Sequence, residues 1–211
     1  MSSASQPSLR ERKKAKTRET IVRVALRLFA EQGYSQTTIA QIAEAADVSP
    51  RTVSTYFPAK ENIVFDISSE AKERLSNAII DRPEGQDTMT ALRTWLTSER
   101  VVLDHDPELH SCQRLVIDRE EPLAAHERAL MREVETTLAR GLAVDLGLGP
   151  SELQPRMAAA AAMAVFDLLQ EEEGSARLEG ELPPVEQQLE LLDQALAFIT
   201  GGVAALREHQ F

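Results

Sequence analysis

The sequence predicts an all-α fold: a three-helix head at the N-terminus and a helical bundle behind it. Three observations carry that expectation. Apolar residues recur on single helical faces, as with Ile21, Ala25, Leu28 and Phe29 at i, i+4, i+7 and i+8. Helix-start and helix-stop residues punctuate the chain at helix-length intervals. No stretch alternates apolar and polar residues convincingly, and no hairpin dipeptide sits between apolar runs. Apolar residues make up 43% but aromatics only 4%, so the core must be built mostly from Leu, Ala, Val and Ile.

Taken in order, residues 1–8 form a Ser-rich tail expected to be disordered. Ser8 with Glu11 has capping-box spacing and opens a first helix, which Gly33 ends. Thr38 with Gln41 repeats the box for a short second helix with Ile39, Ile42 and Ala43 inward. After the link Ala46-Asp47-Val48, Ser49 caps a third helix. Pro50 falls in its first turn, where a missing N–H costs nothing. Pro58 disfavours helical geometry at Phe57 and closes it. A long helix is expected from Ala59 to Ile80. Breaks at Arg82–Gly85, Asp106-Pro107, Glu121-Pro122, Gly147–Pro150 and Gly174–Pro184 then delimit helices near 87–104, 107–119, 122–146, 151–173 and 184–208. The expected organisation is a tail over 1–8, a head over 9–58 and a helical domain over 59–211.

The net charge of −11 argues against nucleic acid until its distribution is read. Residues 1–60 carry ten Lys/Arg against five Asp/Glu, a charge of +5, and the remainder carries −16. A basic head on an acidic body is expected where only the head meets phosphate. The longest apolar run, Met157 to Phe166, is ten mostly Ala residues, too short to span a bilayer. The first 20 residues have no apolar signal region, and the one cysteine, Cys112, cannot form an intrachain disulfide. A cytoplasmic protein with no membrane partner is expected.

Two short helices joined by a three-residue link make a helix-turn-helix. Ala43 is small enough for close crossing, and Val48, Val53 and Phe57 can wedge the pair onto the first helix. The outward positions of the third helix are Pro50, Arg51, Thr52, Ser54 and Thr55, short or polar as major-groove entry requires.

The run from Thr38 to Lys60, with Leu28 to Tyr34 upstream, resembles the DNA-binding domain of tetracycline-repressor (TetR) family regulators over about residues 15–65. The resemblance implies that Arg51, Thr52 and Thr55 face bases. An Arg51 guanidinium suits guanine O6/N7, and the Thr52 methyl suits a thymine methyl. It implies phosphate contacts from Tyr56, from Lys60 at the start of the long helix, and from the caps Thr38 and Ser49. It also implies double-stranded DNA with a pseudo-palindromic operator, read by a homodimer whose heads lie about 34 Å apart. Repression relieved by a small-molecule effector follows as the family's commoner mode. Two positions depart from the pattern: Asp47 stands where the family usually has Gly, and Ala59 where a capping Ser is frequent.

In the last helix Leu189, Leu192, Leu196, Ile199, Val203 and Leu206 are spaced 3, 4, 3, 4, 3, an a/d seam. In the family the last two long helices form a four-helix dimer interface, so Met157, Leu189, Leu192, Leu196, Ile199 and Val203 are expected there. The same spacing also suits packing within one chain. Gly201-Gly202 inside the seam predicts a close crossing or a helix end near Thr200. The resemblance places an apolar effector pocket within residues 60–170, with Trp95, Met131, Met163 and Phe166 as candidate lining, although each also suits plain core.

No cofactor or metal is expected. Residues 105–112 hold His105, Asp106, Glu108, His110 and Cys112, all ligand types, but Asp106-Pro107-Glu108 reads more readily as a helix start. His126-Glu127 fails the zinc-helix pattern because Leu130 holds its fifth place. The basic run Arg10–Arg18 suits either a solvated helix face or an arm reaching a minor groove. The sequence has no Gly-rich phosphate loop and no nucleophile elbow, so an enzyme is not expected. The alternative to a regulator is a protein-interaction adaptor with a vestigial DNA-binding head.

Overall fold

A computed structural model describes the backbone of residues 8–103, 106–179 and 185–208, and their side chains apart from 100–103, 107, 170–179, 185–186, 188–189 and 207–208. Ten helices follow one another among the described residues, with no strand: α1 (Leu9–Gln32), α2 (Ile39–Ala45), α3 (Pro50–Tyr56), α4 (Lys60–Val64), α5 (Asp66–Ile80), α6 (Thr88–Leu103), α7 (Pro107–Arg119), α8 (Glu121–Leu146), α9 (Leu153–Glu179) and α10 (Val185–Glu208). None of them is long and apolar enough to cross a membrane.

The expected caps form. Ser8 and Glu11 complete a capping box at α1, and Thr38 and Gln41 another at α2. Gly33 ends α1 with φ +95°, its N–H donating to the Phe29 carbonyl at 3.0 Å. Asp106 caps α7 by accepting the Leu109 N–H at 3.1 Å, with Pro107 in the first turn. Ala59 has no side-chain acceptor, so α4 keeps only the reciprocal half of a box, in which Asn62 Oδ1 accepts the Ala59 N–H at 3.0 Å.

Three expectations about helices are corrected. The long helix from 59 to 80 is broken at Phe65, whose backbone (φ −98°, ψ 14°) leaves helical geometry. The buried Phe65 ring stacks on His126 at 4.5 Å, and Asp66 turns to pair with Arg18, so tertiary contacts override local propensity. Helix α9 continues through Gly174 to Glu179. Helix α10 continues through Gly201-Gly202, and a Cβ at either glycine would meet nothing within 4 Å, so within this chain there is neither a helix end nor a close crossing.

The chain folds as two compact units, each built from two stretches of sequence, so the expected boundary at 58/59 does not divide them. The first unit runs to Glu70 and includes Leu103–Arg128. Its core joins Ile21, Leu26 and Phe29 of α1 to Ile42, Val53, Phe57 and Ile63. Helix α7 packs along α1, and three α1 arginines fasten the surrounding helices: Arg18 to Asp66, Arg23 to Asp106, and Arg27 to Glu108. Buried Gln113 of α7 donates to the Val64 carbonyl at 2.6 Å. The long α1, offering a flank for α7 to pack along, is the physical reason that α7 belongs with the head.

The second unit comprises Ala71–Val102 and the chain from Ala129 onward. Its core is the Leu- and Ala-rich cluster expected from composition, including Leu75, Ile79, Leu92, Leu138, Leu142, Ala159 and Ala162. One polar knot ties α5, α6 and α8. Arg82 donates to the Ile79 carbonyl (2.6 Å), the Gln86 carbonyl (3.0 Å) and Asp145 Oδ1 (2.9 Å), while Asp145 Oδ2 accepts the Thr88 N–H (2.7 Å) at the start of α6. Both ends of this ion pair are nearly buried, with side chains 12% and 7% exposed. Gly141 beside it has no room for a side chain, because a Cβ there would lie 2.7 Å from Ile79 and from Thr88.

Candidate nucleic-acid interface

The link between α2 and α3 closes by two backbone bonds, Val48 N–H to the Ala43 carbonyl (2.9 Å) and Asp47 N–H to the Glu44 carbonyl (3.2 Å). Asp47 takes a left-handed conformation, φ +54°, the turn geometry for which glycine is the easier residue. Ser49 Oγ accepts the Thr52 N–H at 3.0 Å and lies 2.8 Å from Thr52 Oγ1, so the first turn of α3 is held by its cap and by Pro50.

That start fixes which way each side chain points. Val53 and Phe57 are buried at 0% and 1% exposure, anchoring α3 to the core beneath. Pro50, Arg51, Ser54 and Thr55 are exposed, and Thr52 and Tyr56 are half-buried. The exposed set at 51, 54 and 55 follows the i, i+3, i+4 spacing of one helical face. Thr55 Oγ1 donates to the Arg51 carbonyl at 2.8 Å, which commits its hydrogen and leaves a methyl and a lone pair outward. Among the described residues Arg51 makes no ion pair, so its guanidinium is available to an outside acceptor. Thr38 and Ser49, the two caps, are both exposed.

Lys60 is engaged within the chain. Its ammonium turns inward, donating to the carbonyls of Tyr34 (2.6 Å) and Thr37 (3.0 Å). It also lies 4.3 Å from the Tyr34 ring centroid and 5.8 Å from that of Phe29. Burial pulls its pKa down against the upward pull of Glu120 and Glu61. The amine closes the α1–α2 turn. Sequence reasoning missed its platform, Tyr34, which packs edge-on to Phe29 at 5.1 Å. Burial, reinforced by Glu61, pushes the Tyr34 phenol up to about 12. The Gly33-Tyr34 step quoted in the resemblance was the available signal.

The other site expectations divide. Trp95 and Met163 pack on the same core of the second unit, whereas Met131 and Phe166 are half-buried and are not part of that cluster. Two open cavities, of about 660 and 420 Å³, are lined by other residues: the α5–α6 connection with Arg140 and Val144 of α8, and the α6–α10 groove around Arg93 and Asp193. The buried Trp95 indole N–H has no acceptor among the described residues. Leu192, Leu196, Ile199 and Val203 are 5–7% exposed and belong to the core cluster that includes residues of α5, α6, α8 and α9, so these four pack within the chain. The Leu189 side chain lies outside the described residues. Met157 is 52% exposed. In the 105–112 segment His105 lies outside the described residues, and Asp106 and Glu108 are engaged by Arg23 and Arg27.

A capped helix-turn-helix with a polar outward helix, with helices as the only regular elements among the described residues, defines a DNA-binding regulatory protein. The comparisons agree. Residues 21–67 match the profile described as bacterial regulatory proteins, tetR family. Over 169 residues the chain is 34% identical to the HTH-type transcriptional regulator TcmR of Streptomyces glaucescens, covering 75% of this chain and 74% of that one. A shorter match, 48% over 48 residues, covers 23% of this chain and 21% of the HTH-type transcriptional regulator HbdR of Aromatoleum sp. (strain CIB). Among solved structures, a SmeT–triclosan complex superposes with a TM-score of 0.62 at 23% identity, over 86% of this chain and 90% of that chain. NalD of Pseudomonas aeruginosa superposes at 0.58 and 21% identity, over 88% and 96%. The chain belongs to the tetR family of bacterial regulatory proteins, and it is a DNA-binding transcriptional regulator.

Proposed function

We infer that this protein is a repressor that binds a pseudo-palindromic operator as a homodimer and is released by a small apolar effector. The observation that carries the reading is the outward face of α3, where Arg51, Ser54 and Thr55 stand over a buried Val53–Phe57 anchor. Arg51 is assigned a guanine edge, and the Thr52 and Thr55 methyls thymine methyls. Tyr56, Thr38 and Ser49 are assigned phosphates. Lys60 supports this surface from beneath.

The dimer face is assigned to apolar side chains that the chain leaves uncovered on α9 and α10: Met157 (52% exposed), Leu168 (61%), Leu191 (43%) and Phe198 (74%). Exposed Gly201 and Gly202 continue this side of α10. For the effector, the Trp95 N–H, without an acceptor among the described residues and packed on the same core as Met163, suits an apolar molecule carrying one hydrogen-bond acceptor. NalD, titled a secondary repressor of an efflux pump, and SmeT, solved with triclosan, share this fold and are consistent with that role.

The test is enrichment of duplexes from a random pool by the purified protein. The expected product is an inverted repeat with half-site centres about one helical turn, or a small multiple, apart. Enrichment of no sequence, or of a single half-site, contradicts the reading. Phe198→Asp is expected to yield monomers with much weaker binding. An unchanged dimer would place the interface elsewhere.

A further inference from the structure

Helix α1 has two unlike halves. In its second half Arg18, Arg23 and Arg27 are neutralised by Asp66, Asp106 and Glu108. In its first half Arg10, Arg12, Lys13, Lys14 and Lys16 are all exposed, and none forms an ion pair among the described residues. The acid among them, Glu11, accepts the Ser8 N–H at 2.7 Å, and its bonding to the Ser8 side chain, then to this N–H, holds its pKa below the usual range. Arg10 and Lys14 stand four residues apart, as do Arg12 and Lys16. Like charges at this spacing repel and weaken a free helix. A helix that keeps this repulsion, starts from a capping box and buries nothing before Ile21 is suited to a polyanion that would relieve it.

Its position gives the partner. The Arg18 guanidinium lies 4.8 Å from the centroid of Phe57, the C-cap of α3, and Tyr56 adjoins that ring at 6.4 Å. The basic half of α1 therefore runs up to Arg18, beside the C-terminal end of the helix assigned to base reading. At 1.5 Å per residue, positions 10 to 18 span about 12 Å, a reach of roughly three phosphates along one strand. A helix is about 10–12 Å wide and a minor groove about 6 Å, so this segment meets phosphates from outside and does not read bases within the groove.

We propose that the first two turns of α1 form an auxiliary clamp on the DNA backbone flanking each site that α3 occupies. The clamp strengthens binding to any duplex and adds no sequence preference. It rests on the DNA-binding reading above and extends it to a second surface.

The test compares the wild-type protein with a variant in which Arg10, Arg12, Lys13, Lys14 and Lys16 are all Gln, a good helix former. Anisotropy titrations use a mixed-sequence duplex and an enriched operator at several salt concentrations. The expected result is an affinity loss on the order of tenfold or more on both duplexes, with the slope of log affinity against log salt reduced by about 2–3. Thermal unfolding should be unchanged or improved, and a variant with Lys13, Lys14 and Lys16 as Arg should bind like wild type. An unchanged slope in a protein that binds DNA overturns the clamp and leaves the regulator reading intact. A loss confined to particular flanking sequences overturns it in favour of base reading. Unchanged DNA binding with loss of binding to phosphatidylglycerol vesicles overturns it in favour of a membrane surface. A wild-type protein that binds no duplex overturns both readings.

Discussion

Helices α3 and α10 both have clear sequence patterns, but the two patterns constrain different things. In α3 the cap at Ser49, Pro50 and the close of the helix at Phe57 set the phase of one short helix, so every side chain has one direction available. In α10 the 3-4 spacing of Leu192, Leu196, Ile199 and Val203 sets a direction equally well, yet leaves open what lies there. The seam faces the core of its own subunit, and the large apolar side chains left exposed on this helix, Leu191 and Phe198, follow no such continuous spacing. Periodicity specifies a face, while the occupant of that face depends on contacts distant in sequence.

The strongest challenge to this contrast targets a distant contact in the body. Removing the carboxylate in Asp145→Ala would leave Arg82 buried without its counter-ion and the Thr88 N–H uncapped. A loss of about 3–5 kcal/mol in denaturant unfolding is expected. A loss under 1 kcal/mol would show that the knot is incidental to the body.

In the head, Lys60→Met keeps the apolar stem but leaves the Tyr34 and Thr37 carbonyls without their donor. The expected cost is about 1–3 kcal/mol of stability, with the salt dependence of DNA binding unchanged. A salt slope reduced by about one would return Lys60 to the phosphate contact that the sequence suggested.

Ser49→Ala removes one local device, the cap of α3, and should cost about 1 kcal/mol in thermal unfolding. A negligible change would mean that Pro50 and the Val53–Phe57 anchor suffice to set the phase of α3. Smaller still, Gly201→Ala in exposed, uncrowded α10 should stabilise the subunit by about 0.5–1 kcal/mol. If a partner packs closely over that glycine, size-exclusion chromatography will instead show a weakened dimer.

What the sequence disclosed follows the same division. The helix starts at Ser8, Thr38, Ser49 and Asp106 were legible because each capping oxygen and the backbone N–H that donates to it lie three residues apart. The buried pair Val53 and Phe57 was legible from the phase of that short helix, whereas Asp47 was noticed only because the family usually has Gly there. The break at Phe65 was not, since it depends on His126 and Arg18. Nor was the inward turn of Lys60, which needs the Tyr34 carbonyl and ring brought beneath it, or the Arg82–Asp145 knot between α5 and α8. The grouping of α7 with the head follows from packing along α1, which no local signal encodes.

The central claim concerns the exposed side of α3, and Arg51→Ala tests it most directly. Arg51 is exposed and makes no ion pair among the described residues, so its removal should leave helicity and melting temperature unchanged. Binding to an enriched operator should weaken by about 1–3 kcal/mol while binding to mixed-sequence DNA changes far less, so the ratio between them falls. An Arg51→Ala protein that holds its operator as tightly as wild type, with the same ratio, would contradict the account.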